Sequence, residues 1–204
     1  EELGAIVAAG CLAHDMGNPP FGHSGEKAVS HYFSNERGAE LIDKGGLSEA
    51  EKSDLINFDG NANTFRLLTH SIRGRREGGF ALTYPTVASV IKYPRSSVGT
   101  KKFGYFQQDK ETFEEIMQKL QITSLGDKGY VRHPLVYLVE AADDICYQIM
   151  DIEDACRLGI LSYDETVEML CNIFRSDTDV KVFENRDKVF DRVTDKHERI
   201  AYLR

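Results

Sequence analysis

A helix that has to stop and restart within a few residues constrains this chain most. Residues 3–15 set Leu3, Ile6, Val7 and Cys11 at helical spacing in an alanine-rich run that ends at His14-Asp15. Gly17-Asn18-Pro19-Pro20 follows, and two prolines with fixed φ and no amide donor cannot continue a helix. His23 or Ser24 can open the next helix, with Ser24 a candidate cap; Ala28, Val29, Tyr32 and Phe33 lie along it, and it fades by Asn35. The corner between the two helices carries His14, Asp15, His23 and Glu26. Imidazole nitrogen and carboxylate oxygen together suit divalent transition metals or magnesium-type ions. The plainer alternative is a helix end whose polar groups only cap backbone.

The remaining pattern is also helical. Residues 34–53 are polar and glycine-containing, and read as a surface excursion with one short helical piece. A helix follows Asp59-Gly60-Asn61, with Phe65, Leu67, Leu68 and Ile72 as its apolar side. Residues 73–79 read as a flexible loop, and Tyr84-Pro85-Thr86 opens a helix through Ile91 that Pro94 stops. A long basic and aromatic loop over 94–109 leads to a short amphipathic helix marked by Phe113, Ile116 and Leu120. His133-Pro134 introduces the longest helix, 135–158, ended by Gly159; another starts near Ser162, and helical pattern continues to the end. No Val/Ile/Thr alternation persists, and neither a hairpin signature nor an internal repeat is visible. The expectation is an all-α domain over residues 1–204.

With 204 residues the chain can bury a substantial core. It opens at Glu1-Glu2 without methionine and closes in mid-pattern at Ala201-Tyr202-Leu203-Arg204, so it is expected to be a segment of a longer protein. The net charge of -8 weighs against a general affinity for nucleic acid or anionic membrane, but not against a local basic pocket. Apolar stretches fall short of a bilayer span, and no signal-peptide pattern opens the chain. Cys11, Cys146, Cys156 and Cys171 lie far apart with no CxxC, and read as buried thiols in a reducing cytoplasm.

On the long helix, Glu140, Asp143, Tyr147, Asp151 and Asp154 follow steps of three and four and share one face, with Leu138, Ile145, Ile149, Ile152 and Cys156 roughly opposite as core. Stacked like charges are mildly destabilising, so an enclosed face needs something positive, such as a metal ion near Asp143; otherwise it is an acidic face left in water. Tyr147 in its middle suggests a wall against which a ring can pack. Lys92, and Lys101-Lys102 before Phe103-Gly104-Tyr105-Phe106, offer ammonium groups to a polyanion, or else belong to solvated loops. Arg66 is either a surface residue of its helix or a polyphosphate contact.

HDMGNPPFGHSGE followed by EAADDICYQIMDIEDA resembles the HD-domain deoxynucleotide triphosphohydrolases, specifically the bacterial dGTP triphosphohydrolase branch. The likeness extends through GNANTFRLLTH, LTYPTVASVIKYPR and KKFGYF, covering most of the first 160 residues. It implies an α-helical, metal-dependent hydrolase core that cuts a dNTP, dGTP foremost, between the α-phosphorus and the 5′-oxygen. The products are the deoxynucleoside and tripolyphosphate. By the same resemblance His14, Asp15 and the distant Asp143 are the metal ligands, for a manganese-, magnesium- or iron-type ion. His23 and Glu26 are the catalytic pair, Tyr147 and Asp151 hold the sugar with Asp151 on the 3′-hydroxyl, and Lys92 and Lys102 contact phosphates. Asn18 stands where many relatives carry a histidine, which weakens a phosphate contact there. The family's metal site also begins with a histidine upstream of the pair, and none precedes His14. The family further implies a homo-oligomer and regulation by nucleotide; single-stranded DNA is a candidate effector through the Arg73–Arg76 loop. Two alternatives stand beside this reading. One is another HD hydrolase acting on nucleoside monophosphates or cyclic nucleotides; the other is a non-catalytic nucleotide- or single-strand-binding module, against which His23 and Glu26 argue.

Overall fold

The computed structural model describes residues 2–71, 78–175 and 177–203. It divides into two compact units, one up to Ala141 and one from Ala142. Among the described residues there is no strand, and the only β-type pairing is an isolated bridge between Ser124 and Tyr130. The all-α expectation holds.

The first unit begins with α1 (Glu2–Ala13), which stops at the His14-Asp15 pair, and α2 (His23–Ser34). Ser24 does not cap α2: Gly22 is the N-cap, and no side chain bonds there. Phe21 and Gly22 before it both have positive φ, 67° and 52°, so the corner uses backbone space that a phenylalanine enters at a cost of about 1–2 kcal/mol. The polar stretch after α2 is more ordered than expected, forming α3 (Glu36–Lys44) and α4 (Glu49–Ile56). Two local causes explain this. Ile42 is buried, and Ser48 with Glu51 forms a reciprocal capping box at the start of α4.

Helix α5 (Gly60–Thr69) turns Ala62, Thr64, Phe65 and Leu68 inward, while Leu67, expected in the core, is exposed. Ile72 and the arginine-rich run at 73–77 lie outside the described residues. Helix α6 is shorter than expected, Tyr84–Ala88. After it the chain passes into tighter turns, Val90 N–H donating to the Val87 carbonyl and Ile91 N–H to the Ala88 carbonyl, and Ser89, Val90 and Ile91 are all buried. After the 94–109 loop, α7 (Lys110–Lys119) buries Phe113, Ile116 and Met117. The main core joins Phe65, Val87, Ala88, Ile91, Tyr105, Phe113, Ile116 and Met117, and the Tyr105 and Phe113 rings stack 4.1 Å apart. Burial pushes the Tyr105 phenol up to about 12. Ala13, Leu68 and Val90 form a second cluster that seats the end of α1.

Helix α8 (Pro134–Arg157) runs through the boundary between the units and ends at Gly159, whose φ of 71° suits a helix stop. In the first unit it buries Leu135, Val136 and Val139. Of the residues expected on the core side, Leu138 and Ile145 are 53% and 60% exposed, while Ile149, Ile152 and Cys156 are half-buried. The second unit continues with α9 (Tyr163–Cys171), opened by a Ser162–Glu165 capping box, then α10 (Val180–Phe190) and α11 (Lys196–Leu203). Thr166, Leu170 and Ile200 are buried there. Cys146 is exposed and the other three cysteines are half-buried, a correction to four buried thiols; no disulfide occurs among the described residues. None of the described helices is long and apolar enough to cross a membrane.

Candidate active site

The His14-Asp15 corner is fastened to α5 by backbone contacts. Gly17 N–H donates to Thr64 Oγ1 at 2.9 Å, and the same hydroxyl donates to the His14 carbonyl at 2.9 Å. Asn63 Nδ2 donates to the Gly17 carbonyl at 2.8 Å. A β-carbon on Gly17 would lie 2.0 Å from Thr64 N and 2.4 Å from the Gly60 carbonyl oxygen, so only glycine lets the corner approach this closely.

On this platform the His14 ring has a defined orientation. Nδ1 lies 2.8 Å from the Cys11 carbonyl, an acceptor, so Nδ1 carries a proton, and in the neutral ring the lone pair is on Nε2. Nε2 is 3.6 Å from Asp15 Oδ2, and Asp15 Oδ1 accepts from Asn18 Nδ2 at 2.8 Å. An imidazole lone pair beside a braced carboxylate, with the second ring nitrogen bound to backbone, is a donor set that fits a divalent metal. Among the described residues no three His, Cys, Asp or Glu side chains are grouped closely enough to hold one. The structure therefore brings together His14 and Asp15; Asp143 belongs to the second unit.

The second cluster forms where α2 meets the start of α5. Glu26, buried on α2, accepts from Gly60 N–H through Oε1 at 2.7 Å and faces Lys102 Nζ through Oε2 at 3.3 Å. Lys102 is also 3.4 Å from Oδ2 of Asp59, a fully buried carboxylate. Asp59 caps α5, its Oδ1 accepting from Asn61 N–H at 2.9 Å. Burial alone would lower the Lys102 pKa, but the charges of Asp59 and Glu26 outweigh it and hold the ammonium above the ordinary lysine value. Glu26 thus serves Lys102 and the α5 backbone, and no hydrogen bond joins it to the exposed His23 ring one turn away. His23, Glu26, Lys27, Lys101 and Lys102 line a pocket of about 320 Å³. Its cationic and imidazole groups can meet an anion.

Within the first unit, Lys92 and Arg66 have ion-pair partners of their own. Lys92 pairs with Glu140 at 2.9 Å, and Arg132 reaches the same carboxylate at 3.0 Å. Two cations thereby offset the first charge of the α8 acidic face. Burial pulls Lys92 down, yet its bond to Glu140 leaves it above the ordinary lysine range. Arg66 is not a solvated surface residue: it pairs with Asp109 at 3.1 Å and Gln108 at 3.0 Å, lining a neighbouring pocket of about 330 Å³ with Phe58 and Phe106. In the second unit Asp143 is half-buried, whereas Tyr147 is 54% exposed and Asp151 exposed. Asp59 and Thr64 are the site residues that sequence reasoning passed over. Asp59 carried a readable signal, an aspartate before Gly-Asn at a helix start, but its second oxygen and its lysine partner are tertiary facts.

No family model matches the chain. Curated proteins do resemble it. A deoxyguanosinetriphosphate triphosphohydrolase-like protein of Pseudomonas aeruginosa is 44% identical over 183 residues, which is 86% of this chain and 41% of that protein. One of the same name from Synechocystis is 37% identical over 197 residues, 90% of this chain and 44% of that protein. A Yersinia enterocolitica protein named deoxyguanosinetriphosphate triphosphohydrolase is 32% identical over 194 residues, 79% of this chain and 36% of that protein. The chain spans about two-fifths of the length of the curated relatives it matches. On these likenesses, carried across most of its length, the chain belongs to the deoxyguanosinetriphosphate triphosphohydrolase family.

Proposed function

We propose that the chain carries the working residues of a metal-dependent dNTP triphosphohydrolase, with dGTP the favoured substrate and control of dNTP pools its role. One observation carries the reading: in a chain with relatives of that name, Lys102 is held beside Glu26 on the pocket that His23 lines. His14 Nε2 and Asp15 would hold a divalent ion of manganese, magnesium or iron type, and the family resemblance assigns Asp143 as a third ligand. When bound, that ion supplies Lewis-acid polarisation of an α-phosphate oxygen. Cys11 and Asn18 keep the two ligands oriented for it.

In the reaction a water oxygen bonds to the α-phosphorus and the bond from phosphorus to the 5′-oxygen breaks. A proton goes to that oxygen, leaving deoxynucleoside and tripolyphosphate. His23, exposed at the pocket, either gives this proton or orients the water. Lys102 neutralises phosphate charge, and Glu26 keeps its ammonium in place between uses. Lys92 makes a second phosphate contact by exchanging Glu140 for substrate oxygen. Tyr147 and Asp151 take the deoxyribose, with Asp151 accepting from the 3′-hydroxyl.

The test is ion chromatography of the products from dGTP and manganese with the full-length protein, run beside an Asp15→Ala variant. Tripolyphosphate with deoxyguanosine, lost in the variant, is the expected result. Pyrophosphate or orthophosphate would establish a different hydrolase, and no product from any dNTP would establish a binding module.

A further inference from the structure

We infer that Asp59 is a positioning residue for phosphate binding, acting through Lys102; the inference rests on the triphosphohydrolase reading. The carboxylate has 0% exposure, and its two oxygens are used differently. Oδ1 is consumed locally, accepting from the Asn61 backbone N–H at 2.9 Å and the Asn61 side chain at 2.8 Å. Oδ2 accepts no hydrogen bond among the described residues and faces Lys102 Nζ at 3.4 Å. A helix cap needs only the first oxygen, and a neutral asparagine or serine would supply it. A second, fully desolvated anionic oxygen is costly unless a cation stays beside it.

The consequence falls on Lys102. Its side chain is 35% exposed and lines the pocket, with Asp59 Oδ2 at 3.4 Å and Glu26 Oε2 at 3.3 Å from the ammonium. A lysine on a flexible stem loses rotamer freedom when it binds phosphate; one already held loses less. Were Lys102 to swing fully onto a ligand, Asp59 would be left charged and unpaired. The ammonium is therefore kept at one place in the free and the bound protein, and phosphate has to come to it. Glu26 alone does not impose this, because its other oxygen is already committed to Gly60 N–H.

Asp59→Asn tests this, since asparagine keeps the α5 cap and removes only the charge. Asp59→Ser, which also caps, replaces it if the first variant fails to fold. The probe is inorganic tripolyphosphate, titrated calorimetrically into the full-length protein, alongside dGTP kinetics. The expected result is about tenfold weaker tripolyphosphate binding and a KM for dGTP raised by a similar factor, with kcat changed much less. In a Lys102→Gln background the same substitution should add nothing, an outcome that a general loosening of α5 would not produce. Unchanged tripolyphosphate affinity, or an equal loss with and without Lys102, overturns the inference. Wild-type protein that makes no tripolyphosphate from any dNTP overturns the triphosphohydrolase reading instead, and the anion titration still decides the role of Asp59.

Discussion

The corner at His14-Asp15 and the acidic face of α8 organise polar side chains by opposite means. At the corner, the Gly17 amide and the His14 and Gly17 carbonyls are locked to the Thr64 and Asn63 side chains of α5, and the His14 and Asp15 side chains inherit their places from that lock. On α8, Asp143, Tyr147 and Asp151 follow the helical period, and Tyr147 and Asp151 stand exposed. A site residue on a regular helix can be changed with little effect on folding. One on a close-packed corner cannot. The two regions should therefore respond differently to substitution, activity being separable from stability on α8 and coupled to it at the corner.

The largest effect is expected at Asp143. If it is a metal ligand, Asp143→Ala should reduce manganese-dependent dGTP turnover by on the order of a thousandfold, about 4 kcal/mol of transition-state stabilisation. Its urea midpoint should move by no more than about 1 kcal/mol, as befits a half-exposed carboxylate. Retained turnover would remove Asp143 from the metal site. A collapse in stability would break the contrast between the two regions.

Gly17→Ala is the converse case, a change with no functional group. The new methyl would sit 2.0 Å from Thr64 N, against backbone that cannot swing aside. We expect a loss of about 3 kcal/mol or more in urea unfolding, with activity falling alongside. A variant of near-native stability would show that the corner is looser than its contacts indicate.

The same contrast explains what could be read before the structure. The α8 face was legible because 3.6-residue periodicity is a property of the sequence itself; its core side was legible only in part, since Ile149, Ile152 and Cys156 are half-buried while Leu138 and Ile145 are exposed. The corner was legible in outline because Pro19-Pro20 excludes a helix whatever packs around it. Its lock to α5 was not, because Gly17 and Thr64 meet across 47 residues and neither has a sequence pattern that names the other. Lys102 was picked out by resemblance as a phosphate contact, but its engagement with Asp59 and Glu26 depends on α2, α5 and a loop converging. Helices α3 and α4 were under-read for a simpler reason: glycine and charge in 34–53 outweighed the Ser48–Glu51 capping signal.

Thr64→Val separates the lock from the bulk of the side chain. Valine keeps the shape but loses both hydrogen bonds of the hydroxyl, so the His14 carbonyl and the Gly17 amide lose their buried partner. The expected cost is about 2 kcal/mol in urea unfolding. If His14 and Asp15 hold the ion, manganese affinity, measured by titration in the absence of substrate, should weaken by about tenfold, because both side chains are oriented from this backbone. A stability loss with no change in manganese affinity would confine the lock to folding.

The smallest effect uses a feature that the two units share. Ser48 with Glu51 opens α4 in the first unit, and Ser162 with Glu165 opens α9 in the second, by the same reciprocal hydrogen bonds. In each, the serine hydroxyl and then the serine amide hold the glutamate below its ordinary value of 4.5. Because the folded pKa is depressed, the stabilisation is present above the ordinary glutamate range and is lost as pH falls through the lowered value. Both carboxylates are exposed to solvent, so the contribution is small and weakens with salt. A carboxyl-carbon NMR titration should find both midpoints below 4.5, and Ser48→Ala should return Glu51 towards that value while leaving Glu165 unmoved. If Glu165 shifted as well, the units would be coupled through their helix starts, and the local origin of the caps would have to be given up.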